Sequence, residues 1–219
     1  MPPIVTLEPN LSGIENMSRD AELPEDEVVA RVYSWDGPWV SLGLFQHPES
    51  DLKTGCPIRW VKRPTGGRAV LHGHDVTVGL SIPFAAIDPT SDLSRSVRRA
   101  YRAAAEPIIS ALNALGVPAC LGEEVPSREQ KGPRSADCFA AISANDIVNR
   151  ETLQKVCGCA LKLRAHSVLL QASIPACPPL VDPGEVFTQP APVSWVTIDL
   201  GNFAENLATA LEERFCVRT

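Results

Sequence analysis

The chain has 219 residues, of which 44% are hydrophobic and 21% charged, and its formal net charge is −6. This composition is typical of a single globular domain, residues 1–219, that buries enough surface to form its own core. The acidic balance and the absence of a long apolar run argue against nucleic-acid binding and against a membrane span. The seven scattered cysteines and the lack of a secretory signal predict a cytoplasmic protein with reduced thiols.

The first half of the chain is predicted to contain one helix followed by short strands. Ser12 and Glu15 have the spacing of a capping box, so a helix should begin there and end near Pro24. Runs rich in β-branched and aromatic residues, separated by turn residues, predict strands further on. These predicted strands cover residues 28–33, 40–45, 58–62 and 76–82.

Two longer helices are predicted in the second half. The first covers residues 94–115 and ends at Gly116, and Pro107 should kink or split it. The second covers residues 203–215, with Asn202 as its N-cap.

The segments between these helices are predicted to be loops and strands. Residues 118–137 are polar and predict a mobile loop, residues 161–174 predict one or two strands, and residues 175–192 form a proline-rich crossing. Strands outnumber helices and come in runs. This pattern predicts an α+β (mixed α/β) fold with helices packed on one side of a sheet.

A glycine-rich segment, residues 63–72 (RPTGGRAVLH), carries the densest chemical signal. Gly66 and Gly67 allow the backbone to approach a ligand closely and to present N–H groups to an oxygen atom. Arg63 and Arg68 place positive charge on both sides of this turn, and His72 follows. Spacing alone is equally consistent with a tight hairpin turn that carries surface arginines.

Two further segments contain candidate reactive groups. Cys138 is a candidate nucleophile if a neighbour activates it, although an ordinary buried thiol is the simpler interpretation of a single cysteine. Lys155 precedes a turn of small residues that could hold its ammonium in a pocket, or it is a solvated lysine on a strand edge. Cys157 and Cys159 lack a second Cys or His pair at zinc spacing, so no metal site is predicted.

Five segments, in order along residues 12–175, resemble the biotin/lipoate protein ligase and octanoyltransferase superfamily. The segment 63–72 is similar to its lipoate-pocket signature, and Cys138-Phe139 looks like the Cys-Phe stretch of the single-domain octanoyltransferases. Lys155, Gly158 and Ala160 match a Lys-x-x-Gly-x-Ala segment. Similarity extends to the opening helix (residues 16–20) and to the first strands (residues 33–38 and 41–46).

The resemblance implies a fold and a set of residue roles. The fold would be a largely antiparallel mixed sheet flanked by helices, as in the catalytic domain of biotin ligases. Cys138 and Lys155 would be catalytic, with Cys138 carrying an acyl group as a thioester and Lys155 close to the acyl carbonyl. The turn at Gly66 and Gly67 would line an acyl tunnel. The implied substrate-binding residues are Arg63, Thr65, Gly66, Gly67, Arg68, Ala69, His72, Gly158 and Ala160.

The activity implied by the resemblance is the transfer of an octanoyl or lipoyl group in protein lipoylation. The donor would be an acyl-carrier-protein thioester, and the acceptor a lysine of a lipoyl-domain protein. Attack of an amine on a thioester is downhill, so this reaction needs no cofactor. An arginine-rich helix stretch, Arg95, Arg98, Arg99 and Arg102, is a candidate docking patch for an acidic carrier, unless it is a solvated helix face.

Two alternatives remain open at this point. An ATP-dependent lipoate–protein ligase, which would need ATP and Mg²⁺, is favoured by Asn145-Asp146. Against it, we expect no room after residue 215 for the accessory domain that many ligases carry. A non-catalytic acyl- or lipoyl-binding paralogue is suggested by residues 170–174 (LQASI), where members of the superfamily usually carry His-Gly.

Overall fold

The computed structural model describes residues 2–88, 96–126, 135–192 and 194–216. Within these ranges the strands form two sheets, and residues of both sheets line one cleft. In chain order the strands are β1 (Ile4–Leu11), β2 (Val29–Trp35), β3 (Trp39–Leu42), β4 (Arg59–Lys62), β5 (Val70–His72), β6 (Asp75–Pro83), β7 (Ala119–Leu121), β8 (Ile147–Asn149), β9 (Lys155–Leu163) and β10 (Ser167–Pro175).

The larger sheet has seven described strands in the order β1-β2-β6-β10-β9-β8-β7, and the smaller sheet has the order β4-β3-β5. Strands β1 and β2 are parallel, as are β3 and β4. The other neighbouring pairs are antiparallel. The predicted fold class, a largely antiparallel mixed sheet flanked by helices, is therefore confirmed.

The central strands β6 and β10 give the larger sheet two chemically different faces. Successive side chains of a strand point to opposite faces, and Val78 and Leu80 join the main core on one of them. On the opposite face Thr77, Gln171 and Ser173 are buried polar residues. The alternation therefore creates an apolar core on one side and a polar-lined interior between the two sheets on the other.

The described helices begin and end as follows: α1 (Gly13–Ala21), α2 (Pro48–Asp51), α3 (Phe84–Ile87), α4 (Val97–Ala114), α5 (Pro183–Val186) and α6 (Leu200–Phe215). The predicted capping box of α1 is confirmed, because the Ser12 side chain accepts from the Glu15 N–H and the Glu15 carboxylate accepts from the Ser12 N–H. No helix among the described residues combines the length and apolarity needed to cross a bilayer.

Two helix predictions need correction. Helix α4 continues through Pro107, so the predicted split is wrong, whereas the alternative of a kink stays a prediction. Pro107 removes one helical hydrogen bond, but Ile108 and Leu112 are fully buried in the main core, and this burial outweighs the loss. Helix α6 begins earlier than predicted, because Asp199 and not Asn202 is its N-cap and accepts from the Asn202 N–H.

Four strands, β1, β5, β7 and β8, were not predicted from the sequence, and β5 has only three residues. Strand β1 contains Pro9, which a strand at the edge of a sheet tolerates because its N–H is not needed there. Strands β7 and β8 have three residues each, too short for a clear pattern. Because β7 lies within residues 118–137, the loop prediction for its start is wrong, and residues 127–134 lie outside the described ranges.

Candidate functional site

A cleft lies between the two sheets and has about 330 Å³ of free volume, part of it open to solvent. Its walls come from α1, from both sheets and from the segment around Cys138. We call it the inter-sheet cleft. The residues that line it are Met17, Tyr33, Trp35, Ser41, Arg63, Val70, His72, Thr77, Cys138, Gly158, Cys159, Ala160, Gln171, Ala172 and Ser173.

Cys138 is held at this cleft by a short turn that is tied to the smaller sheet. It begins a 3₁₀ turn, Cys138–Ala140, whose N-cap Asp137 accepts from the Phe139 N–H at 2.9 Å. The Cys138 N–H donates to the Ala69 carbonyl at 2.8 Å, and the Ala69 N–H donates to the Ala136 carbonyl at 2.9 Å. These bonds connect the cysteine to the glycine-rich segment, so two distant sequence motifs form one site.

Lys155, at the start of β9, brings its ammonium next to the thiol. Its Nζ lies 3.4 Å from the Cys138 Sγ, 2.8 Å from the Cys138 carbonyl oxygen and 2.9 Å from the Asp146 carboxylate. Burial lowers the pKa of Lys155, but its electrostatic interactions with Cys138 and Asp146 outweigh this, so the pKa lies above its ordinary value. The side chain is therefore a buried cation that faces the sulfur.

Gly158 makes room for the sulfur of Cys138. A Cβ atom at this position would lie 3.1 Å from the Cys138 Sγ and 3.6 Å from the Cζ of Phe139. Such a distance is shorter than an ordinary van der Waals contact, so any side chain here would displace the thiol. The glycine of the predicted Lys-x-x-Gly-x-Ala segment thus has a steric function in this chain.

Arg63 fixes the glycine-rich turn from inside the protein. Its guanidinium donates to the carbonyl oxygens of Gly66 at 2.6 Å, Arg68 at 2.7 Å and Ser41 at 3.0 Å. Gly67 has a φ of 87°, a conformation that disfavours any residue with a side chain. The buried arginine therefore organises the turn while one of its surfaces lines the cleft.

The structure brings together some of the predicted site residues but not all of them. The inter-sheet cleft is lined by five of them: Arg63, His72, Cys138, Gly158 and Ala160. Lys155 is not among the described residues that line the cleft, but its ammonium contacts the sulfur of Cys138. Thr65 supports the cleft by donating to the side-chain oxygen of Gln171 at 2.7 Å.

Four predicted residues, Gly66, Gly67, Arg68 and Ala69, form the supporting turn and are not among the described residues that line the inter-sheet cleft. The Arg63 side chain, which bonds to the Gly66 carbonyl, is the part of this segment that lines the cleft. The Arg68 side chain faces a different, polar cleft that also contains Gln46, Asp51 and Gln189.

A buried hydrogen-bond network connects His72 to the walls of the cleft. Its Nδ1 lies 2.7 Å from the Asp75 carboxylate and its Nε2 lies 2.8 Å from the Ser41 hydroxyl. Asp75 also accepts from the hydroxyl groups of Thr77 at 2.9 Å and Ser173 at 2.6 Å. The polar atoms of these side chains bond to one another, so the surface that the side chains present to the cleft consists mainly of carbon atoms.

A second network lies where Gln171 meets α1. The Gln171 amide donates to the Asp20 carboxylate at 2.6 Å, and the Tyr33 hydroxyl donates to the same carboxylate at 2.7 Å. Arg31 forms a buried ion pair with Asp20. Gln171 therefore occupies a fully bonded position at the stretch where the superfamily usually has His-Gly.

Sequence reasoning missed most of the residues that complete the site. Asp146 pairs with Lys155, and Asp75 orients His72, but neither was singled out for this function. The polar residues at alternate positions of β6 and β10 could have predicted the polar face of the larger sheet. A central strand that is polar at every second position implies that its polar face is also buried.

The predicted arginine patch is not a free cationic surface. Arg98 pairs with Glu123, Arg99 with Asp88, and Arg102 with Glu106. Arg95 lies outside the described residues. The charges of the described arginines are thus compensated locally, which fits a solvated helix face.

Comparison with known proteins places the chain in a family. The profile of the lipoyl protein ligase A/B catalytic domain matches residues 13–194. Octanoyltransferase LipM of Lysinibacillus sphaericus is 34% identical over 152 residues, 65% of this chain and 52% of that protein. Octanoyltransferase LipM of Anoxybacillus flavithermus is 34% identical over 177 residues, 74% of this chain and 60% of that protein. The chain spans about half the length of the first of these relatives.

Solved structures share the fold at lower sequence identity. A putative lipoate protein ligase from T. acidophilum with bound lipoic acid has a TM-score of 0.72 and 20% identity, covering 98% of this chain and 86% of that one. A lipoate-protein ligase A bound with ATP has a TM-score of 0.69 and 20% identity, covering 98% and 85%. Because the profile match extends over most of its length, the chain belongs to the family of lipoyl protein ligase A/B catalytic domains.

Proposed function

We propose that this protein transfers an octanoyl group from an acyl-carrier-protein thioester to Cys138, and from Cys138 to a lysine of a lipoyl-domain protein. One observation carries the proposal: the Lys155 ammonium lies 3.4 Å from the Cys138 Sγ, and Cys138 lines the inter-sheet cleft. The relatives named octanoyltransferase support the same reaction class.

The first half-reaction needs a nucleophilic thiolate. A neighbouring ammonium favours the thiolate form of a cysteine, and the buried Lys155 provides this charge permanently because its pKa is raised. The sulfur attacks the carbonyl carbon of the donor thioester, a new C–S bond forms, the donor C–S bond breaks, and the carrier leaves as a thiolate that takes up a proton from solvent. The donor bond supplies the free energy, so this route requires no cofactor.

The inter-sheet cleft is suited to a medium-length acyl chain. Met17, Trp35 and Ala160 contribute apolar surface, and the polar residues around His72 are bonded among themselves. A saturated chain therefore displaces water without leaving buried polar atoms unpaired. In this arrangement the acyl carbonyl is next to Cys138 and the chain extends between the sheets.

The proposed acceptor is a lysine of a lipoyl-domain protein. Its amine attacks the octanoyl thioester and forms an amide, which releases the Cys138 sulfur. A solved structural neighbour is a bi-partite lipoate protein ligase described with its E2 lipoyl domain. For the present chain, this acceptor class is the most direct choice because the family acts in protein lipoylation.

The test is to incubate the purified protein with an octanoyl-acyl carrier protein and to weigh the intact protein by mass spectrometry. We expect one octanoyl adduct that hydroxylamine removes and that the Cys138→Ser variant does not form. The matched control is Cys216→Ser, which removes a half-buried thiol at the end of α6 and should acylate normally. An adduct that persists in Cys138→Ser would refute the proposed intermediate.

The same material separates this function from its alternatives. Lipoylation of a lipoyl domain that requires free lipoate, ATP and Mg²⁺, and that proceeds in Cys138→Ser, would identify a ligase. Tight binding of the acyl donor without turnover under either condition would identify a non-catalytic binding protein. Each of these results would contradict the proposed transferase.

A further inference from the structure

A second pocket lies beside the Cys138 turn, outside the inter-sheet cleft. It has about 410 Å³ of free volume, part of it open to solvent. Its walls are mostly apolar and come largely from the proline-rich crossing. We call it the His74 pocket; its apolar walls include Leu71, Phe139, Pro175, Pro183, Phe187 and Pro192, and its polar side has His74 and Asp137.

His74 has an unusual position in this pocket. The residue is only 9% exposed, and its Nδ1 is buried without a hydrogen-bond partner among the residues that the structure describes. A buried polar atom left unbonded carries a free-energy cost, so such atoms are rare in folded proteins. The unpartnered Nδ1 therefore points to a ligand that supplies the missing hydrogen bond.

Asp137 provides the second polar group of the pocket. Its carboxylate accepts from the Phe139 N–H at 2.9 Å and from the Ala191 N–H at 2.7 Å, which fixes its orientation. The residue is 5% exposed and directly precedes Cys138. A carboxylate and an unbonded imidazole nitrogen at the end of an apolar pocket are complementary to an amine on an alkyl stem.

Phe139 links the His74 pocket to the nucleophile. The ring of Phe139 lines the pocket. A Cβ atom placed on Gly158 would lie 3.6 Å from the Phe139 Cζ and 3.1 Å from the Cys138 Sγ, so both atoms lie close to Gly158. Phe139 therefore contributes both to the wall of the pocket and to the surroundings of the Cys138 sulfur. An alkylamine in this pocket would lie against the aromatic ring of the residue that follows Cys138.

Lys155 is unsuited to remove a proton from the incoming amine. Its ammonium already donates to the carbonyl oxygens of Cys138 and Ala141 and pairs with Asp146. By contrast, burial lowers the pKa of His74, although Asp75 and Asp137 raise it and His72 lowers it further. The imidazole is therefore neutral near pH 7 and can accept a proton.

We propose that the His74 pocket receives the side chain of the acceptor lysine and that His74 takes a proton from its ammonium before the amine attacks the octanoyl thioester on Cys138. This inference rests on the proposed transferase function. The four methylene groups of the lysine pack against the apolar walls, and Asp137 holds the ammonium next to His74.

The protons and electrons of this step balance as follows. His74 accepts one proton from the ammonium and passes it to solvent. The nitrogen lone pair then forms the C–N bond, and the nitrogen of the tetrahedral intermediate releases the second proton to water. The C–S bond breaks, and its electron pair leaves on the Cys138 sulfur, which again faces the Lys155 ammonium.

The experiment uses protein that has been octanoylated on Cys138 and freed of donor. Its deacylation is followed by mass spectrometry after addition of n-butylamine, which has four carbons like the lysine side chain, and separately after addition of a lipoyl domain. For His74→Ala we expect deacylation by both acceptors to fall about 100-fold, while the initial acylation of Cys138 stays within about twofold. Added imidazole should restore part of the deacylation rate, which a merely structural defect would not allow.

The matched control is His166→Ala, because His166 is exposed on the turn between β9 and β10 and is far along the chain from the pocket. It should deacylate like the parent protein. If His74→Ala does not accumulate as folded protein, His74→Gln, which keeps most of the side-chain volume, should show the same loss at the deacylation step.

Three results would overturn the inference. The first is normal deacylation of either His74 variant, and the second is an equal loss of acylation and deacylation without rescue by imidazole. The third is the absence of any adduct on Cys138 in the parent protein, which would refute the transferase function itself. Only the third result affects the proposed function, so the two failures are distinguishable.

Discussion

Two buried charged clusters border the inter-sheet cleft, and they differ in one respect. In the first, Lys155 pairs with Asp146 and also faces the sulfur of Cys138. In the second, Asp20 pairs with Arg31 and accepts from the side chains of Tyr33 and Gln171. Both clusters are buried, and both contain a close ion pair.

The two clusters differ in whether one of their atoms remains free to contact a substrate. The polar atoms around Asp20 bond to one another and hold α1 on the larger sheet, whereas the sulfur of Cys138 faces the cleft with a cation behind it. Buried ion pairs also occur for structural reasons, so burial and charge alone do not identify a reactive site. Our proposal for Cys138 rests on the further feature that its nucleophilic atom faces free space next to a charge.

The largest expected effect concerns the Asp20 cluster and stability. Replacing Asp20 by Ala leaves the buried Arg31, Tyr33 and Gln171 without their common acceptor, so we expect the free energy of unfolding to fall by about 3–5 kcal/mol. Urea unfolding measures this change. The exposed Asp26→Ala is the control and should stay within about 0.5 kcal/mol. A loss below about 1 kcal/mol for Asp20→Ala would show that the network contributes little.

The next largest effect is expected in the rate of acylation, and it concerns the cluster formed by Lys155, Asp146 and Cys138. Lys155→Met removes the cation beside the sulfur, and we expect acylation of Cys138 to slow about 100-fold, which corresponds to about 2.7 kcal/mol. The measurement is the rate of octanoyl-adduct formation in protein shown to be folded. Lys162→Met, an exposed lysine on the same strand, is the control. Equal rates for the two variants would remove Lys155 from the mechanism.

A smaller effect is expected in the pH dependence of stability. Burial alone would raise the pKa of Asp75, but His72 and the bonded hydroxyl groups lower it to about 2 from 3.8. The resulting stabilisation is present above about pH 4 and is lost as the pH falls from 4 through 2, and it amounts to about 2 kcal/mol. Asp75→Asn should flatten this part of the curve of unfolding free energy against pH. An unchanged slope would contradict the assignment.

The smallest effect is steric. Gly158→Ala places a Cβ 3.1 Å from the Cys138 Sγ, so the sulfur must move by a few tenths of an ångström. We expect acylation to slow about tenfold, or about 1.4 kcal/mol, with little change in the thermal midpoint of unfolding. Kinetics and thermal unfolding of the same preparation test both parts. A parent-like acylation rate would show that the position of the sulfur is not critical.

Much of the local structure followed from the sequence. The capping box of α1 depends on residues three positions apart, and polar and apolar residues alternate along β6, although nearly all of them are buried. The glycine-rich segment, Cys138 and Lys155 each had an ordinary interpretation by themselves, and they were recognisable because together and in this order they resemble the motifs of the superfamily. The continuity of α4 through Pro107 was not predictable, because it depends on the burial of Ile108 and Leu112.

The sequence by itself thus determined which faces of the strands are apolar, where α1 begins, and which residues could react. Only the tertiary structure decided which of them meet: Lys155 reaches Cys138, Gln171 reaches Asp20, and Arg68 faces another cleft. The physical reason is that spacing along the chain fixes the direction of a side chain within its own strand or helix. Its neighbours depend on strand pairing and turn anchoring between segments up to about 150 residues apart.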